Sequence, residues 1–207
     1  GKKILDFGSG IGVTANYLAR YNDVTAIEPD EESVSMRWSD NQYAQIIGST
    51  DELRKFSDET FDMIICHNVL EYIEDKQSIL AELYRVLKPH GILSIVKHNR
   101  AGRVMQMAVL LDDLEKSNDL LDGKDSTAVK FGVIRYYEEE MISKWVPGLK
   151  KKDCFGIRTF WDLQQNQEKH NSEEWQSRMM QLEMRVSQME EYRRISFFHH
   201  LLYFKEK

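Results

Sequence analysis

Cysteine is scarce: the 207 residues hold only Cys66 and Cys154. Cys66 sits in an apolar run, so buried thiols in a reducing compartment are the simplest arrangement, not a disulfide framework. No apolar run approaches the ~18 residues that a membrane span needs. No stretch has the pattern of a secretory signal, so a cytoplasmic chain without membrane attachment is expected. Net positive charge is missing too. The 28 Lys and Arg against 34 Asp and Glu give −6. That excludes a surface basic enough to grip nucleic acid everywhere, but not a local basic patch. Internal repeats and low-complexity segments are absent. The chain also lacks an initiator Met and enters an apolar strand directly after Gly1-Lys2-Lys3. A preceding segment is therefore expected, and any site residue on it lies outside this sequence.

The composition is that of a folded domain: 42% apolar, 11% aromatic and 30% charged with both signs interspersed. The length suits one domain over residues 1–207, with insertions near 99–135 and 161–192. The first hundred residues alternate strand and helix patterns. Strands are expected at residues 4–7, 24–28, 44–47, 61–67 and 92–96. Helices are expected at 13–21, with Val13, Tyr17 and Leu18 near one face, at 31–39 and at 78–87. Lys88-Pro89-His90-Gly91 reads as a turn. Such alternation implies right-handed crossovers and a parallel sheet. Beyond Asn99, residues 104–114 read as helix, 117–127 as polar loop, 138–145 as helix, 155–160 as strand, 173–190 as a long helix and 195–204 as a last strand.

The strongest signal is ILDFGSGIG at residues 4–12. A buried strand delivers Asp6, then Gly8, Ser9, Gly10 and Gly12, then a helix. Glycines at these points let the backbone turn sharply and pass close to a ligand. The third glycine falls one residue earlier than in the nicotinamide fingerprint G-x-G-x-x-G, which favours S-adenosylmethionine over a dinucleotide. No Lys follows the glycines, so a nucleotide P-loop is out. Glu28 closes the second strand, where a carboxylate can accept both ribose hydroxyl hydrogens. Asp6 can organise the loop amides and face a cationic methionyl group. Asp51, with Thr50 beside it, can reach an adenine amino group, or it can cap the short helix that follows. His67 ends the fourth strand and can stack on or hydrogen-bond a cofactor, or be satisfied within the core. No residue is singled out as catalytic, and no metal set is read.

ILDFGSGIG, TAIEPD, FDMIICHNVLEYIED and LYRVLKPHGILSIVKHN together resemble the ordered motifs of class I S-adenosylmethionine-dependent methyltransferases. The resemblance implies a Rossmann-like, doubly wound α/β fold with seven strands, mostly parallel, the last antiparallel. CHNVLEYIED, LSIVKHNRAGRVMQMAV, GIRTFWDLQQNQEKH and LEMRVSQMEEY are similar to the tRNA 5-carboxymethoxyuridine methyltransferase family. Members esterify a carboxylate on a modified wobble uridine of tRNA. The resemblance implies cofactor contacts at Gly8, Ser9, Glu28, Thr50, Asp51 and His67. The chain departs from that family at Phe197–His200 and at residues 124–135, the latter being less basic and less proline-rich here.

Asn99, Arg158 and Arg185 stand in these second-half motifs and are the candidates for holding an acceptor. Arg158 and Arg185 can equally be structural ion-pair partners. Lys150-Lys151-Lys152, with Lys144, Arg193 and Arg194, can form a phosphate-binding patch or a solvated turn. Trp161, Trp175 and Tyr192 can stack a base or belong to the core. Three functions remain open at this stage: methylation of tRNA, methylation of a small-molecule acceptor, and a non-enzymatic module that binds a cofactor or partner.

Overall fold

The computed structural model describes residues 1–128 and 132–207. Nine strands are named here in chain order: β1 Lys3–Phe7, β2 Asp23–Glu28, β3 Ala44–Ile47, β4 Phe61–His67, β5 Leu87–His98, β6 Ser126–Ala128, β7 Gly132–Ile134, β8 Leu149–Ile157 and β9 Phe198–Lys205. Seven of them form one sheet in the order β3-β2-β1-β4-β5-β9-β8, and β6 and β7 pair separately as an antiparallel ribbon. The sheet is mostly parallel, with β9 antiparallel, the doubly wound arrangement expected from the sequence.

The chain divides into two compact units. One comprises Gly1–Ile95, Tyr137–Asp153 and Leu201–Lys207; the other comprises Val96–Tyr136 and Cys154–His200. In the first unit, Ile4, Leu5, Asp6 and Phe7 of β1 are all buried, as are Phe61, Ile64, Ile65 and Cys66 of β4. Strands covered on both faces read as continuous apolar runs, and each large side chain buried here stabilises the fold by about 1.5–3 kcal/mol. The helix Lys76–Val86 buries Ile79, Leu80, Leu83 and Val86, its expected stripe, and starts where the Asp75 carboxylate accepts from the Ser78 amide at 3.0 Å.

Chain order places the site. From β1 the chain moves outward through β2 to β3, then crosses back to β4 on the other side of β1. The registers pair Phe7 with Ile27, Glu28 with Ile47 and Asp6 with Ile65. The carboxyl ends of these strands therefore meet at a reversal of strand order, where open α/β sheets bind ligands.

Several local expectations are corrected. The helix at Val13–Leu18 is shorter than expected and buries Ala15 and Asn16, while Val13 and Tyr17 are exposed. Its inward face is set by Asn16, whose amide oxygen accepts from the Asn41 backbone at 2.8 Å. Lys88–Gly91 belongs to strand β5, within which His90 adopts a φ of 62°. The chain curls so tightly there that a Cβ on Gly91 would lie 2.8 Å from the Lys88 carbonyl. Residues 114–121, partly assigned to loop, form the helix Leu114–Leu121: Asp113 caps it at the Lys116 amide (2.9 Å), and Ser117 and Leu120 are its buried face. Instead of one helix over 104–114, Arg100–Met105 is followed by a wider turn at Gln106–Leu110. The strand expected at 155–160 runs over Leu149–Ile157. The insertion expected near 99–135 includes residues 129–131, which lie outside the described residues. No helix among the described residues is long and apolar enough to cross a membrane.

Candidate cofactor site

The turn after β1 is held by its own backbone. The amides of Gly8 and Ser9 both donate to the Ile27 carbonyl of β2, at 2.8 and 3.1 Å, and the Gly12 amide donates to the Ser9 carbonyl at 2.9 Å. Gly8 and Gly10 take left-handed φ values of 77° and 54°. A Cβ on Gly8 would lie 2.3 Å from Val69 Cγ2, so that glycine is a packing requirement. A Cβ on Gly10 would meet nothing within 4 Å. At Gly10 the bare backbone faces open space, which is where a ligand can lie against the chain.

Glu28 is buried, and its carboxylate braces the same loop. Oε2 accepts from the Gly10 amide at 2.7 Å and Oε1 from the Asp30 amide at 3.0 Å. Each oxygen keeps lone-pair capacity for a hydroxyl donor. Two other side-chain atoms at the turn, Asp6 Oδ2 and Ser9 Oγ, are buried with no hydrogen-bond partner among the described residues. Native structures leave few such atoms. Burial pushes the Asp6 carboxyl up to about 7; the Ala15 amide opposes the rise and the Glu28 charge adds to it. A cationic, hydroxyl-bearing ligand matches this donor and acceptor set, as S-adenosylmethionine would.

His67 ends β4, its Nε2 at 2.8 Å from Ser94 Oγ on the neighbouring strand, and Asn68 after it turns the chain with φ 55°. Ser94 was not singled out from the sequence; only its place in the apolar run of β5 sets it apart. Thr50 and Asp51 open the short helix Thr50–Leu53 after β3. Asp51 does not cap that helix. It lies inside the first turn, exposed, with its carboxylate 3.2 Å from Arg54. Gly8, Ser9, Gly10, Glu28 and Asp6 are thus built into one turn, with His67 on β4 and Thr50 and Asp51 at the tip of β3.

The acceptor candidates lie in the second unit. The Asn99 amide donates to the carbonyls of Arg194 and Ser196 at 2.9 and 2.8 Å, so its NH2 is committed to pinning that segment. Arg158 is bonded to Asp162 through Nε at 2.7 Å and through Nη2, and lies over the Phe198 ring. Arg185 is exposed on the helix Glu173–Val186. Among the described residues, no contact gathers the three around one point. Trp161 and Trp175 pack on each other at 5.0 Å, with His170 stacked on Trp175, and Tyr192 packs on Phe160. These aromatics are packed among themselves. Lys150, Lys151 and Lys152 lie on β8, not in a turn, and Lys150 and Lys151 pair with Glu206 and Glu139. Successive strand residues face opposite sides, so the lysines do not form one patch.

Residues 5–95 match a family model described as a methyltransferase domain. Among curated proteins, the ubiquinone biosynthesis O-methyltransferase of Pseudomonas entomophila is 30% identical over 118 residues, covering 53% of this chain and 50% of that protein. An uncharacterized protein of Synechococcus is 30% identical over 173 residues, covering 74% of this chain and 40% of its own length. The chain thus spans half or less of the length of these relatives. Among solved structures, a SAM-dependent methyltransferase of Methanosarcina mazei is similar with a TM-score of 0.61 at 15% identity, over 99% of this chain and 92% of that one. The 1,6-didemethyltoxoflavin-N1-methyltransferase of Burkholderia thailandensis, which holds S-adenosylhomocysteine, gives 0.58 at 15% identity over 100% and 72%.

Proposed function

We propose that this chain, built on a class I methyltransferase domain whose cofactor is S-adenosylmethionine, transfers the cofactor's methyl group to a carboxylate oxygen on a modified wobble uridine of tRNA. The observation that carries the methyltransferase reading is the Glu28 carboxylate drawn onto the Gly10 amide where Gly10 faces open space. The finer choice of acceptor rests on the second-half motifs that resemble the tRNA 5-carboxymethoxyuridine methyltransferases.

S-adenosylmethionine supplies an electrophilic methyl on a sulfonium. The chain's residues do the rest. Glu28 would accept the ribose hydroxyls with the lone pairs left by Gly10 and Asp30. Ser9 Oγ and Asp6 Oδ2 would gain the partners they lack among the described residues, and Asp6, once ionised, would answer the cation. Asp51, with Thr50 beside it, would reach the adenine amino group, and His67 would stack on or hydrogen-bond the cofactor. A carboxylate acceptor is already ionised, so no general base is required of the protein. Its task is to align the attacking oxygen in line and to exclude water.

The ubiquinone biosynthesis O-methyltransferase among the curated relatives favours a second reading, a small-molecule acceptor. A transfer assay with radiolabelled cofactor against total tRNA and against a small-metabolite pool separates the two. Label in tRNA that falls steeply with added salt supports the first reading. Label only in small molecules replaces it. No calorimetric uptake of S-adenosylmethionine overturns both.

A further inference from the structure

His98 is the last residue of β5, and its ring centroid lies 4.9 Å from that of Phe198. The Arg158 guanidinium lies 5.4 Å from the same Phe198 ring. Arg158 has a φ of 59°, a left-handed conformation that side chains rarely adopt, directly after β8. Strain of this kind persists where surroundings impose it and gathers at ligand sites. Asp162 engages Nε and Nη2 of Arg158, which leaves the Nη1 edge without a partner among the described residues. On the helix Arg100–Met105, Gly102 is pressed against the Ser196 carbonyl, where a Cβ would come within 2.1 Å. That contact fixes the next residue. Arg103 gives Nη1 to Gln106, while its Nε is buried with no acceptor among the described residues.

We propose that the second unit holds a site for an oxyanion, a phosphate or carboxylate group, recognised by Arg103 and Arg158 beside the His98 imidazole. Guanidinium forks suit the paired oxygens of such groups, and a buried unpaired N–H is the donor that an oxyanion satisfies. The electrostatics agree. Burial lowers His98 to about 4, and the charges of Arg103, Lys97 and Arg158 push the same way. These charges belong to three elements: Lys97 to β5 itself, Arg103 to the following helix and Arg158 to the segment directly after β8. Asp162 answers Arg158 directly, so an arriving anion relieves the remaining repulsion and lets His98 take up a proton.

The test does not involve methyl transfer, so its failure leaves the proposed function standing. The His98 Cε1–H resonance of the whole chain is titrated against pH with inorganic phosphate, with malonate, or with chloride alone at matched ionic strength. Saturable binding that raises the His98 midpoint by roughly one unit or more is expected. Tighter phosphate binding assigns a phosphate, tighter malonate binding a carboxylate. Arg103→Gln should weaken binding tenfold or more. Arg158→Gly should do the same while raising Tm, because glycine accepts the left-handed backbone. Should Arg103→Gln not fold, Arg158→Gly alone decides. A His98 titration identical in all three salts overturns the site, as does a shift of equal size in Arg158→Gly.

Discussion

The glycine turn of the first unit and the Asn99 segment of the second use the same kinds of side chain to opposite ends. In the turn, Glu28 braces backbone amides yet keeps acceptor capacity, and Ser9 Oγ and Asp6 Oδ2 have no partner among the described residues. In the second unit, Asn99 spends both amide hydrogens on Arg194 and Ser196. Buried Glu183 likewise accepts from the amides of Thr159, Phe160 and Trp161, at 2.9, 2.8 and 2.9 Å. A buried polar residue thus signals a ligand by the capacity it leaves over, not by its identity. Arg103 departs from this pattern in the second unit, its Nε being buried without a partner among the described residues, as are Thr159 Oγ1 and Arg193 Nε.

The comparison can be broken most forcefully at Asp6. Its carboxyl is raised from 3.8 to about 7, so the folded chain holds a proton there that the unfolded chain has released. Stability should therefore fall as pH rises from about 4 to 7, by an amount on the order of a few kcal/mol. Asp6→Asn should flatten that part of the wild-type curve in denaturant titrations. Cofactor affinity should move the other way, strengthening as pH rises through 7, because the ionised carboxylate favours a cation. A next-largest effect is expected at Glu28. Glu28→Gln removes the charge from two backbone hydrogen bonds and from those to the ribose, and should weaken S-adenosylmethionine binding by about 2–3 kcal/mol in calorimetry.

The two glycines sharpen the contrast between packing and site. Gly8→Ala combines a positive φ with a 2.3 Å approach to Val69 and should lower stability by about 2–3 kcal/mol, seen as a fall in Tm. Gly10→Ala meets no atom and should cost about 1 kcal/mol of stability while weakening the cofactor more than the fold. Asn99→Ala should destabilise by about 1–3 kcal/mol through the buried carbonyls it abandons, with S-adenosylmethionine affinity unchanged. A loss of affinity equal to that of Glu28→Gln would remove the distinction between the two regions.

The turn was legible in the sequence because its chemistry is local. Glycine spacing, a buried Asp and a strand-end Glu lie within 23 residues, and parallel pairing of β1 with β2 brings them together. The helix Lys76–Val86 was legible for the same reason, since its stripe and its cap are adjacent in the chain. What escaped depends on distant partners. Asn16 carries no mark in the sequence until Asn41 meets it, and Asn99 reads as a ligand contact until residues 194 and 196 arrive. Lys150–Lys152 reads as a phosphate-binding patch or a solvated turn because three charges in succession have low strand propensity; they lie on β8 instead. Arg103 gave no sign at all, since an orphaned Nε exists only once the helix is packed.

The sheet order ends at β8, so one side of that strand meets no further strand among the described residues, although its Gly156 amide already donates to the Ser187 carbonyl at 2.6 Å. Three consecutive ammonium groups flank it above and below, and another chain's strand laid alongside would have to bring its own matching charges into register with them. The protein therefore carries at its rim a built-in barrier to stacking into fibrils, one that exchanging Lys150 and Lys152 for valine would dismantle without touching the cofactor turn.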